Sequence, residues 1–132
     1  MAATTSPINT PEKPCGAVDM QYDVNSSATL YPGAMANLNA SGELVDAGDT
    51  ASELCAGMVI SYNATTKKAV VRRGVAKFAI NSTDLAKAQI FTKATVKDNQ
   101  TLSKASVTSN DVVAGTVIGI DSDGAWIDFR FQ

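Results

Sequence analysis

From Ala17 onward the chain alternates short apolar runs with clusters of Gly, Asn, Asp, Ser and Thr, and several of the runs are rich in β-branched residues. Apolar runs this short, at this spacing, predict strands joined by tight turns. Three hairpins stand out. Ala34–Asn39 and Glu43–Asp46 flank Ala40-Ser41-Gly42, where Gly42 can supply the positive φ of a tight turn. Ala56–Tyr62 and Lys67–Arg73 flank Asn63-Ala64-Thr65-Thr66. Val112–Ile120 and Trp126–Phe131 flank Asp121-Ser122-Asp123-Gly124, an Asp-Gly turn signal in which Gly124 can take a left-handed conformation.

Alternation also assigns faces. Ala76, Phe78 and Ile80 point one way, and Val75, Lys77 and Ala79 the other; Gly74 before them predicts a bend or bulge. In the last strand, Ile127, Phe129 and Phe131 share one face and Trp126, Asp128 and Arg130 the opposite one. A short helix is expected from Ser82 to Ala88, with Ser82 or Thr83 as its cap. The fold class that follows is mainly β, a small antiparallel barrel or sandwich with one short helix. Ala56-Gly57-Met58-Val59-Ile60-Ser61 and Ala114-Gly115-Thr116-Val117-Ile118-Gly119 are alike in type, which reads as shared strand chemistry and not as a repeat.

The first residues break this pattern. Pro7, Pro11 and Pro14 fall among small polar residues, with Ile8 as the large apolar side chain of the stretch. Such a segment favours extended conformations and is expected to be mobile, with no means of packing on its own domain. Residues 1–16 are therefore read as a flexible arm and 17–132 as a single domain.

Composition narrows the possibilities. The chain has 132 residues, 45% of them hydrophobic and 18% charged, which is globular and long enough to fold without a disulfide or metal. Eleven basic residues against thirteen acidic ones give a net charge of −2, with no cationic stripe to neutralise phosphates, so no direct nucleic-acid contact is expected. The N-terminus lacks a basic start followed by an apolar run, and no stretch approaches a membrane span, so a cytosolic protein without membrane contact is expected. Asn-x-Ser/Thr triplets at Asn25, Asn39, Asn63, Asn81 and Asn99 then read as turn chemistry, not as glycosylation sites.

The search for chemistry is short. The chain has no histidine, which removes the usual general base and metal ligand. Cys15 and Cys55 are too far apart for a zinc site or a redox pair and are expected to be unpaired, structural thiols. Asp46, Asp49 and Glu53 form one acidic cluster and Asp121, Asp123 and Asp128 another; neither matches a calcium loop, and both read as solvated turn carboxylates. Arg72 and Arg73, near Lys67 and Lys68, could hold a phosphate but read better as a solvated edge that blocks unwanted strand pairing. No catalytic residue, cofactor site or metal site is assigned.

An ordered run of features does resemble a family. A Ser/Thr/Pro arm is followed by Tyr31-Pro32-Gly33, Leu38-Asn39-Ala40-Ser41-Gly42-Glu43-Leu44-Val45, Gly48-Asp49-Thr50, Ala56-Gly57-Met58-Val59-Ile60, Val70-Val71-Arg72-Arg73-Gly74 and Phe78. Over roughly residues 1 to 80 this is similar to the small decoration, or cement, proteins of tailed-bacteriophage capsids. The closing hairpin is compatible; the Lys- and Thr-rich segment from Lys87 to Ser109 has no clear counterpart. The resemblance implies a β-tulip-like domain made in the host bacterial cytoplasm. It also implies that homotrimers form on the outer surface of the expanded capsid, with the major capsid protein as partner. Thr5, Pro7, Ile8, Pro11 and Pro14 of the arm would then touch the capsid. Two other classes remain beside it: a carbohydrate-binding or tail-associated adhesion module, which needs exposed aromatics such as Trp126, and a small enzyme that works with carboxylates alone.

Overall fold

The structure, a computed structural model, describes residues 2–81 and 86–132, with side chains for all of these except 13–15. Its strands are β1 (Glu12–Asp23), β2 (Met35–Leu38), β3 (Leu44–Asp46), β4 (Leu54–Asn63), β5 (Lys68–Ile80), β6 (Lys93–Val96), β7 (Thr101–Lys104), β8 (Val113–Asp121) and β9 (Gly124–Asp128). The mainly-β class read from the pattern holds.

The strands form one continuous sheet that closes on itself. β5, β7, β6, β8 and β9 pair in that order, and β9 returns to β5, which makes a small five-stranded barrel. β5 and β7 run parallel and the other pairs of the ring antiparallel, so the barrel is not purely antiparallel as expected. The first part of β5 belongs to a second, outer sheet in the order β3-β2-β4-β5-β1. That sheet curls until Val24, just past β1, bridges Leu44 of β3, with the Asn25 N–H donating to the Leu44 carbonyl at 2.9 Å.

Two cores follow from this arrangement. The barrel encloses Phe78, Ala94, Val96, Leu102, Val117, Ile127 and Phe129, and the Phe78 and Phe129 rings meet edge to face with centroids 5.8 Å apart. The curl of the outer sheet encloses Val24, Leu30, Ala36, Leu44, Val59, Ala69 and Val71. β5 serves both because its length carries apolar residues through two sets of partners: β4 beside Lys68–Arg72, then β9 beside Val75–Phe78. Gly57 and Gly115, the glycines of the two similar hexapeptides, share a task here. A Cβ on Gly57 would lie 2.5 Å from the Arg72 carbonyl oxygen, and one on Gly115 would overlap the Asp128 carbonyl.

The predicted hairpins form with close to the expected bounds. Leu38 faces Leu44, Asn63 faces Lys68 and Asp121 faces Gly124. Asn25, Asn39 and Asn63 act as turn residues, each accepting backbone N–H groups two to four residues on through its side-chain oxygen.

Several expectations are corrected. Gly74 does not end its strand, since β5 runs through it, but the expected irregularity does fall there: the register with β1 shifts between Arg73 and Val75, and the partner on the other side changes from β4 to β9. Gly124 is not among the positive-φ residues; it is needed because a side chain there would press on the Phe78 carbonyl, 2.6 Å from its Cβ. β9 ends at Asp128, so alternation stops and Phe131 is exposed while Ile127 and Phe129 are buried. The helix expected at 82–88 falls mostly on residues 82–85, outside the described residues; only a single 3-10 turn at Lys87–Gln89 is seen beside them. The segment from Lys87 to Ser109 supplies β6 and β7, two of the five barrel strands.

The charged clusters are also engaged, not merely solvated. Arg72 pairs with Glu12 and Asp19, while Arg73 donates to the carbonyls of Cys55, Ala56 and Phe129. β5 is an inner strand, so these cations guard no edge. Asp49 accepts the N–H groups of Ser109 and Asn110, and Glu53 accepts from Asn37. Asp128 is 5% exposed, with Arg130 holding its carboxylate below the usual range against the cost of burial.

Candidate binding surface

The N-terminal residues, expected to stand away from the body, are laid along it. Glu12 and Lys13 pair with Ala76 and Val75, and the Lys77 N–H donates to the Pro11 carbonyl at 2.9 Å. One step up the chain, the Ile8 N–H donates to the Pro32 carbonyl at 2.9 Å and the Thr10 hydroxyl donates to the Gly33 carbonyl at 2.5 Å. Farther still, the Asn99 side chain grips Thr4 from both sides: its oxygen accepts the Thr4 N–H at 2.9 Å and its amide donates to the Thr4 carbonyl at 3.1 Å. The Gln100 amide donates to the Ala2 carbonyl. The proline-rich composition does predict an extended strand, but extended backbone has unspent donors and acceptors, and the body offers partners at all these points.

Two features of the body make this track specific. Gly33 has φ +88°, and any Cβ there would overlap the Ile8 carbonyl, so only glycine admits the arm at this point. Asn99 is fully buried and is itself held by the half-buried Asp46, whose two carboxylate oxygens accept the same amide at 2.9 and 3.1 Å. Burial raises Asp46 above the ordinary carboxylate value; the hydrogen bonds from Asn99 and from the Ala47 N–H pull it partly back, and Asp98 adds to the rise. An open cleft of about 260 Å³ remains between arm and body, lined among others by Ile8, Thr10, Pro32, Gly33 and Arg72.

Of the arm residues assigned to partner contact, Thr5, Pro7 and Pro11 are exposed and Ile8 is half-buried against the Pro32–Gly33 turn; the Pro14 side chain lies outside those described. The residues that receive the arm were missed. Asn99 reads in the sequence only as a turn triplet, and nothing local announces that its side chain will serve a segment 95 positions away.

Other exposed apolar side chains are Val18 and Met20 on β1, Leu54 at the start of β4, Phe91, Val107, Ile118 on β8, and Phe131. Val18–Asp23 of β1 pairs with β5 along one side, and no strand among the described residues lies along the other. Phe91 is 79% exposed with φ +68°, a conformation that costs a bulky residue on the order of 1 kcal/mol or more.

The groups with chemical potential have structural surroundings. Cys55, on β4, is a free thiol buried in the apolar cluster that includes the barrel core, and burial pushes it up to about 12, so it is not a thiolate at neutral pH. Among the described residues no three His, Cys, Asp or Glu side chains are grouped to hold a metal ion, and no helix is long and apolar enough to cross a membrane. The Trp126 indole N–H donates to Asp121 at 3.0 Å, and the Lys77 ammonium lies 5.8 Å from the ring centroid.

The fold and surface define a class, a small closed β-barrel with an attached outer sheet and a docked N-terminal strand. Comparison with protein-family models, with curated proteins and with solved structures finds no match.

Proposed function

We propose that the chain is a structural virion subunit that attaches as trimers to the outer surface of a tailed-bacteriophage capsid and stabilises the expanded shell. The observation that carries this reading is the ordered run of motifs from the Ser/Thr/Pro arm to Phe78. The architecture is consistent with it in two respects. The arm binds the body chiefly through its backbone, which leaves the side chains of Thr5, Pro7 and Pro11 outward for a partner. One edge of β1, along which no strand lies among the described residues, has Val18 and Met20 exposed beside it and suits association with other protein subunits by strand addition.

A glycan-binding role has weaker support, because one flank of the Trp126 ring is already taken by Lys77 and its N–H by Asp121. The test is the thermal disruption of emptied tailed-phage shells stripped of their own decoration subunits, followed by light scattering with and without added chain. A rise of several degrees in the disruption midpoint, together with a blank glycan array, is expected. An unchanged midpoint with selective glycan binding would replace this reading by the adhesion one.

A further inference from the structure

The arm is attached to the rest of the molecule in a way that separates it from β1. Its contacts run from Ala2 to Lys13, and the strand register resumes only at Val18. Between them the backbone bulges away from β5 through Pro14 and Gly16, and Gly16 adopts φ +69°. Among the described residues, a Cβ on Gly16 would meet only an Arg130 nitrogen, at 3.9 Å. A bulge whose residues belong to neither core, and which holds a left-handed glycine, can change course without disturbing either core.

The track that holds the arm is, by contrast, closely fitted. It consists of a glycine that alone admits the Ile8 carbonyl, a buried asparagine that presents one acceptor and one donor to Thr4 as a neighbouring strand would, and the Lys77 N–H. None of these groups requires that the arm come from the same chain. A neighbouring copy carries the identical segment and can make every one of the same bonds.

We infer that the Gly33–Asn99–Lys77 track is an interface for a second copy of this chain, filled by reciprocal exchange of residues 2–13 with the bulge at 14–17 as hinge. Exchange conserves the arm contacts and alters only the hinge, the usual reason such swaps cost little. The reach suffices: a dozen extended residues span up to about 40 Å, similar to the roughly 35 Å diameter expected for a domain of this length. Concentration decides between the two forms. A tethered arm meets its own track at an effective concentration on the order of 1 mM, so dilute protein is closed and exchange takes over where copies are crowded side by side. This goes beyond the attachment reading and stands whether or not the chain coats a capsid.

The direct test uses intact chain. Unlabelled and heavy-isotope protein are mixed one to one, concentrated into the millimolar range above 40 °C so that arms can exchange, cooled, and joined with an amine-reactive cross-linker at that concentration. Protein at a concentration near the effective one is about half exchanged, so exchange predicts that about a quarter of the Lys13–Lys77 cross-links, rising towards half at higher concentration, join a light to a heavy chain. Cross-links confined to single chains overturn the proposal.

A complementation experiment isolates the track. Gly33→Val closes the track but keeps the arm; Ile8→Pro removes the arm's N–H at that point but keeps the track. Native mass spectrometry of the mixture should show mixed pairs at least tenfold over either variant alone, and no excess would refute the role of the track. Should Gly33→Val not fold, Asn99→Ala takes its place, and the isotope experiment on unmodified chain decides in any case.

Discussion

Asn99→Ala removes the grip on the arm and, at the same time, the main polar partner of Asp46. Two neutral bonds to Thr4 are lost, each contributing about 0.5–1.5 kcal/mol, and the amide bond to the carboxylate contributes about 1.5–3 kcal/mol. The Thr4 groups can turn to water, so the loss is dominated by Asp46, and about 2–4 kcal/mol at neutral pH is expected. For a domain of this size that lowers Tm by about 6–15 °C.

The loss should depend on pH, and its sign is fixed. Burial already holds the folded-state value of Asp46 above the unfolded one, so its favourable contribution is complete below about pH 4 and declines as pH rises through the folded value. Asn99 opposes that rise, so its removal moves the folded value higher and deepens the decline. The gap between wild type and Asn99→Ala should therefore be wider at pH 7 than at pH 3.5. Urea denaturation at both values, with amide hydrogen exchange at Thr4 and Ile8, measures both halves of the argument. A pH-independent gap, or unchanged exchange at these amides, would refute the linkage of arm, Asn99 and Asp46.

The remaining predictions are brief. Phe129→Ala should cost about 3–5 kcal/mol, because the residue is fully buried in the barrel and meets the edge of Phe78; a loss under 1 kcal/mol in chemical denaturation would contradict that core. Cys55 should resist thiol reagents in the native state and react at the rate of global unfolding, whereas rapid labelling of the folded chain would mean that the core is open beside β4. Asp128 sits below the unfolded carboxylate value, so its stabilisation is present above about pH 4 and lost as pH falls through the folded value. Asp128→Asn should accordingly narrow the difference in stability between pH 7 and pH 3, and a full wild-type difference in acid titration would oppose that assignment. Removing residues 2–11 should lower Tm by several degrees, since the arm is hydrogen bonded to the body; an unchanged Tm would mean that it contributes nothing to the fold.

What the sequence disclosed, it disclosed through local signals. The hairpin at Asp121–Gly124, the turn asparagines and the face shared by Ala76, Phe78 and Ile80 are all set by residues within a few positions of one another. What it hid was nonlocal. The parallel pairing of β5 with β7, the ring closure through β9 and the docking of Thr4 on Asn99 depend on partners far apart in the chain, for which spacing offers no cue. The roles of several glycines are nonlocal in the same way. Gly33, Gly115 and Gly124 serve the close approach of another backbone segment, a demand that originates elsewhere in the fold. The arm shows how a composition argument overreaches: prolines and small polar residues cannot form a core, yet their extended backbone still hydrogen bonds to a body that presents the right groups.

The most direct test of the attachment reading is a co-sedimentation titration of the intact chain against emptied, expanded tailed-phage shells lacking their decoration subunits. The account predicts saturable binding, with the chain pelleting in multiples of three per site and substitutions at Thr5, Pro7 and Pro11 weakening it at least tenfold. Chain that stays in the supernatant at every shell concentration, across shells of several such phages, would contradict it.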